Sequence, residues 1–249
     1  MGDYSRFQWF RSSLDGIKNI GGQWLDILYP PSCLICQTGQ LRTICQDCYN
    51  QIIEAHAVGC RRCGAFTGKS LCQRCANGNI FNFESAYAFG IYNGALRHAI
   101  HRLKYGRRRI LGKELGRILA ASIADSAPFR SERIQSIIPV PLHSSRLRWR
   151  GFNQAELLAD VLSVDLGYEV LGALKRARKT PSQVHLRRTE RAINVSNAFA
   201  VTEPNRVAGK SVLLVDDVLT SLATVNECAR VLKLAGADKV FVAALARGV

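Results

Sequence analysis

Apolar positions along the chain change period at about residue 84, and the change separates two kinds of segment. Downstream, Ala86-Tyr87-Ala88-Phe89 with Ile91 reads as a buried strand, and the spacing predicts helices over residues 95–103 and 111–123. Ile137-Ile138-Pro139-Val140 reads as a buried strand running into a loop. Residues 153–166 place Ala155, Leu158, Ala159 and Leu162 on one helical face. Residues 211–215 form a continuous apolar run of the kind buried on both faces of a parallel sheet. A helix over residues 224–234, stopped by Gly236, and a last strand over 239–246 complete the alternation. Strand–helix alternation predicts an α/β fold with a doubly wound parallel sheet and its site at the C-terminal ends of the strands.

Upstream the pattern is different. Trp24, Leu25, Ile27 and Leu28 offer a short helical face ended by Pro30-Pro31, suited to packing on a neighbouring domain, with a membrane contact as the lesser alternative. Residues 33–76 are short of large apolar side chains and rich in cysteine. The expected organisation is a lead-in over 1–32, a metal-binding module over 33–76 and the α/β domain over 80–249. The longest charge-free stretch, residues 27–41, is broken by two prolines, so stable membrane insertion and a secretory leader are not expected.

Composition sharpens this. Of 249 residues 47% are hydrophobic and 21% charged, which excludes an intrinsically disordered chain. Lys and Arg number 34 against 19 Asp and Glu, a formal charge of +15, which calls for anionic partners. Eight of the nine cysteines form the pairs Cys33/Cys36, Cys45/Cys48, Cys60/Cys63 and Cys72/Cys75, and an offset of 27 maps the first four onto the second four. Each half reads C-x2-C-x8-C-x2-C, two thiolate knuckles that close a tetrahedron around zinc. An iron–sulfur cluster or redox dithiols are the alternatives. Four ligands per site leave no open position, so the two zinc ions are structural, each contributing on the order of 10 kcal/mol to folding. The repeat favours one zinc per half, and a crossed pairing of the knuckles stays open. Gly64 suits the backbone curl of its knuckle. Clustered cysteines in a chain with no leader fit a reducing, cytoplasmic setting.

The segment Val212-Leu213-Leu214-Val215-Asp216-Asp217-Val218-Leu219-Thr220-Ser221-Leu222-Ala223-Thr224 places two acids at a strand end before a hydroxyl-rich loop that opens a helix. Adjacent carboxylates accept from vicinal hydroxyls, and a loop of hydroxyls and free N–H groups cradles a phosphate. A ribose 5-phosphate site and an ordinary acidic strand end with a capped helix both fit the residues. The stretch resembles the phosphoribosyl-pyrophosphate (PRPP) motif of type I phosphoribosyltransferases, and the chain from about residue 30 onward resembles the ComF/GntX family. The further matching blocks are Leu96-Arg97, Ile100-His101-Arg102-Leu103-Lys104-Tyr105, Leu111-Gly112 with Leu115-Gly116, and Pro139-Val140-Pro141-Leu142-His143. With them go Arg150-Gly151-Phe152-Asn153-Gln154-Ala155-Glu156, Arg176, Arg178, Thr180 and Gln183, and Arg191 with Asn194 and Phe199.

The resemblance implies a double zinc-ribbon module joined to a phosphoribosyltransferase-like domain. Asp216 and Asp217 would hold the ribose hydroxyls, with magnesium bridging ribose and pyrophosphate. Thr220, Ser221, Leu222, Ala223 and Thr224 would form the phosphate cradle, and Val140, Pro141, Leu142 and His143 would face the pyrophosphate. The basic stretch from Arg178 to Arg191 would be a loop closing over it. Leu222 stands where the family's loop has glycine. A leucine there costs about 1–2 kcal/mol in left-handed geometry and fills the phosphate pocket, unless the loop shifts and its N–H groups still donate.

Basic residues gather in three runs, some interleaved with aromatics, the pattern of a single-strand nucleic-acid path. Arg102, Lys104, Arg107, Arg148, Arg150, Arg178 and Arg187 are the candidate DNA-binding residues, with Trp149 and Phe152 among them. For His143 a ligand role and a capping role both fit; His101 reads as a helix-surface histidine and Cys228 as core. The resemblance thus implies a protein that handles single-stranded DNA in natural competence, with proteins of the DNA-uptake machinery as further partners and a PRPP-type pocket. The other reading is a working PRPP-dependent phosphoribosyltransferase.

Overall fold

The structure, a computed structural model, describes residues 32–39, 43–78, 80–106, 108–124, 126, 129, 133–178 and 188–248. The helical face around Trp24 lies outside the described residues. Helices α1 (Gln46–Glu54) and α2 (Gln73–Ala76) belong to the cysteine-rich segment. Strand β1 (Ser85–Ile91) then leads into α3 (Gly94–Tyr105) and α4 (Arg109–Ala124), and β2 (Ser136–Pro139) into α5 (Ser144–Arg150) and α6 (Gln154–Leu166). Short strands β3 (Glu169–Val170) and β4 (Leu174–Arg176) follow, then α7 (Arg188–Val195), β5 (Phe199–Val201) and α8 (Pro204–Val207). The chain closes with β6 (Ser211–Leu219), α9 (Ala223–Leu234) and β7 (Lys239–Arg247).

Five strands form one parallel sheet in the order β1-β7-β6-β2-β3, while β4 and β5 pair antiparallel apart from it. Alternation along β6 and β7 sends Leu213, Val215, Phe241, Ala243 and Leu245 to one face, packed with Leu96, Ile100, Leu115 and Leu158. Val212, Leu214, Val240, Val242 and Ala244 go to the other, packed with Val225, Cys228 and Leu232 of α9. Both faces are covered, which is why the central strands read as unbroken apolar runs.

The acid pair sits within its strand rather than at the end of it. The sequence reading ends the strand at Val215, but β6 continues to Leu219, because Asp216, Val218 and Leu219 pair with Ala244, Ala246 and Arg247 of β7. Helix α5 and the paired strands β4 and β5 carry no long apolar period.

The cysteine-rich segment straddles the outer side of β1. Its first half, with Cys33, Cys45, Cys48 and Ile52, is continuous with the core under α3 and α4. Its second half, with Cys60, Cys63, Cys72 and Phe83, is continuous with the core under α9. The link between the halves lies along β1: Ala57 N–H donates to Phe89 O, Ile91 N–H to Ala55 O and Ala86 N–H to Arg62 O, each at 3.2 Å. At Gly90 a Cβ would stand 2.4 Å from the Ala55 carbonyl oxygen, so no larger residue permits this approach.

Candidate functional site

Two clusters of four cysteines come first, because the repeat builds them without help from the sheet. The Sγ atoms of Cys33, Cys36, Cys45 and Cys48 lie within 4.8 Å of one another, and so do those of Cys60, Cys63, Cys72 and Cys75. The Cys36–Cys45 and Cys63–Cys72 sulfur pairs are each 3.6 Å apart. Tetrahedral zinc with Zn–S near 2.3 Å needs about 3.8 Å, so both clusters fit zinc and the crossed pairing does not arise. The offset of 27 recurs in the hydrogen bonds: Cys45 N–H donates to Cys33 Sγ and Cys72 N–H to Cys60 Sγ, both at 3.3 Å. Cys45 caps α1, and Gly64 takes φ 69° in its knuckle, the curl expected of it. The Thr38 hydroxyl, 2.9 Å from Cys36 Sγ, leads in pulling that thiol down to about 6, toward the thiolate a metal requires.

The crevice lies where β2 and β6 end. Asp217, buried, forms an ion pair with Lys104 of α3, Nζ to Oδ1 2.8 Å. Asp216 Oδ1 accepts from the Asp217 N–H at 2.8 Å. Burial first, and then the Asp217 carboxylate, push Asp216 up to about 7, and Lys104 offsets only part of this. Burial by itself would lower the Lys104 pKa, but the Asp217 carboxylate, with Asp216 behind it, raises it on balance. The loop of Val140, Pro141, Leu142 and His143 reaches the same place: Val140 N–H donates to Val215 O at 2.9 Å, and Asn153 Nδ2 to Val140 O at 3.0 Å. His143 caps α5, its Nδ1 accepting from Ser145 N–H at 3.2 Å.

Leu222 keeps the left-handed conformation, φ 68° and ψ −1°, at the N-cap of α9. The loop has not shifted, and the side chain, 3% exposed, belongs to the apolar cluster under α9. The turn that glycine would allow is therefore present, at a conformational cost. Thr220 is exposed, while Ser221, Ala223 and Thr224 are half-buried at the helix start. Ser221 Oγ accepts from Ala223 N–H at 3.3 Å. A residue that sequence reasoning missed braces this loop from behind. Arg247, buried at the end of β7, donates to the Leu219 carbonyl at 2.7 Å and to the Thr220 carbonyl. No motif marks it; its only sequence signal is a cation ending an otherwise apolar strand.

The candidate DNA-binding residues divide. Lys104 is committed to Asp217, and Arg150 is buried, donating to Gln154 Oε1 at 2.6 Å under the Tyr105 ring. Arg148 is exposed and Arg102 half-buried. Arg178 is exposed and donates to the carbonyls of Asn194 and Ser196 at 2.9 and 2.8 Å, the end of α7. Arg107 and Arg187, with most of the proposed closing loop, lie outside the described residues. Cys228 is buried in the core and His101 lies exposed on α3, as their positions in the sequence imply.

Residues 24–76 match the double zinc ribbon domain. Beyond that module, competence protein F of Haemophilus influenzae is 32% identical over 211 residues, covering 82% of this chain and 90% of that protein. The chain belongs to the ComF family. DNA utilization protein YhgH of Salmonella typhimurium is likewise 32% identical, over 88% of this chain and 97% of its own length. Among solved structures, a glutamine PRPP amidotransferase from B. subtilis, complexed with ADP and GMP, overlaps 53% of this chain and 25% of its own at 19% identity and a TM-score of 0.35. As a ComF protein the chain joins its double zinc ribbon to a parallel sheet covered by helices on both faces. Among the described residues of this ComF chain, no helix is long and apolar enough to cross a membrane.

Proposed function

We propose that this ComF-family chain handles single-stranded DNA during DNA uptake, on the cytoplasmic side, with the crevice at Asp216 and Asp217 as an accessory pocket for a phosphoribosyl ligand. The observation that carries the reading is how the charges are distributed. Among the described residues, Glu84, Glu169, Glu203 and Glu227 are in ion pairs away from α3, α4 and α5, while on those helices Arg117 pairs with Glu114 and Lys104 with Asp217. Arg97, Arg102, Arg108, Lys113, Arg146 and Arg148, on and between α3, α4 and α5, are in none. A rim of bases without acidic partners is an electrostatic footprint for a polyanion. The names of the relatives, competence protein F and DNA utilization protein, point the same way.

Binding of a labelled single-stranded 20-mer across a salt series tests it. With about five phosphate contacts, affinity is expected to fall about 100-fold between roughly 50 and 200 mM salt. No binding at low salt would overturn the reading.

The left-handed turn kept at Leu222 favours a second reading, a working phosphoribosyltransferase. In that case Asp216 and Asp217 would hold the ribose hydroxyls, magnesium would supply charge neutralisation for the pyrophosphate, and the 140–143 loop would face the leaving group. Replacing both acids by asparagine spares DNA binding under the first reading and abolishes turnover under the second.

A further inference from the structure

Nine large apolar side chains are exposed among the described residues, and only two of them are aromatic: Tyr105, 51% exposed, and Trp149, 56% exposed. They come from different helices, the last turn of α3 and the last turn of α5, yet their ring centres stand 6.0 Å apart. The His101 ring, one turn earlier on α3, lies 4.5 Å from that of Tyr105. The Arg150 guanidinium sits 5.5 Å from the Tyr105 centroid, buried and tied to Gln154, so the ring is held from beneath while half of it faces solvent. Tyr105 is also fixed along the chain, because its neighbour Lys104 is locked to Asp217. An exposed aromatic pair with its orientation fixed in advance loses little side-chain entropy when a planar ligand arrives.

Charge identifies that ligand. The exposed Arg108 and Arg148 and the half-buried Arg102 and Arg146 lie within three residues of Tyr105 or Trp149 along the chain, and none has an acidic partner among the described residues. Rings for bases, with cations spaced along them for phosphates, form the recognition platform for a single strand. A duplex keeps its base faces stacked on one another and cannot use the rings.

We propose that Tyr105 and Trp149 form a nucleobase-stacking step for single-stranded DNA at the rim of the acid-pair crevice, with Arg102, Arg146 and Arg148 carrying the phosphates. The inference rests on the DNA-handling reading above and names its site. The test uses the full zinc-loaded chain, a fluorescent dT20, and an abasic 20-mer with the same number of phosphates. The wild-type protein is expected to bind dT20 about ten- to a hundredfold more tightly than the abasic strand at equal salt. Tyr105→Leu with Trp149→Leu should remove that preference and leave the salt slope unchanged, while Trp149→Phe keeps most of it. Arg148→Gln, by contrast, should reduce the slope by about 0.7 and keep the preference. Equal wild-type affinity for dT20 and the abasic strand overturns the stacking step with no variant needed, and salt-dependent binding in that result leaves the DNA-handling reading standing. If the wild type binds neither strand at low salt, both fall.

Discussion

Asp216 sits in a place that works against its own ionisation. Its carboxyl accepts the Asp217 N–H, faces a second carboxylate and is held near 7, against an ordinary 3.8. Between about pH 4 and 7 the unfolded chain gives up this proton and the folded one keeps it, so stability falls as pH rises through that window. Asp216→Asn keeps the oxygen that accepts from Asp217 and removes the charge. It should therefore be more stable than the wild type above pH 7, by about 1–3 kcal/mol or about 3–10 °C in Tm, with the gain shrinking toward pH 4. Thermal scans at three pH values check this, and a gain that did not vary with pH would contradict it.

At the scale of elements, the phosphate-type loop and the helix it opens show what a sequence can and cannot convey. The longer strands and helices from residue 85 onward are legible because α4, α6 and α9 each carry a helical apolar period and β6 and β7 carry unbroken apolar runs, whereas the short elements α5, β3, β4, α7, β5 and α8 are not. The length of β6 is not legible, because pairing with β7 carries Asp216 and Asp217 as strand residues despite their poor strand propensity. The crevice is legible in part: the 140–143 loop leaves β2, and Asp216, Asp217 and the 220–224 loop follow on the neighbouring strand β6. The sequence marks Lys104 for DNA rather than as the partner of Asp217 and does not mark Arg247 at all, since their partners lie more than a hundred and about thirty residues away along the chain and no local spacing encodes either contact. Leu222→Gly tests the loop itself. Glycine relieves about 1 kcal/mol of left-handed strain, while loss of the buried side chain costs about 2–5 kcal/mol, so the variant should melt several degrees lower. Because the turn is already present, calorimetry with PRPP and magnesium should find wild type and variant within about threefold. A large gain in affinity would mean the leucine obstructs the cradle.

For the whole molecule, the double ribbon and the sheet share their interior. Cys33, Cys45 and Ile52 belong to the same apolar cluster as Leu96 and Leu103, and Cys60 and Phe83 to the same one as Val212 and Cys228. The two modules should therefore melt in one cooperative transition, and native mass spectrometry should find two zinc ions per chain. Chelation should lower that single transition by more than about 10 °C, and an unchanged sheet transition after chelation would show that the modules fold separately. The chelated protein should fail in a particular way. Strand β1 is an edge strand of the parallel sheet, and the link between the two zinc sites, running beside Gly90, is what covers its open side. With the metal gone the cover lifts and a row of N–H and C=O groups is left ready to template another chain, so metal loss should show itself as edge-to-edge self-association before it shows itself as unfolding.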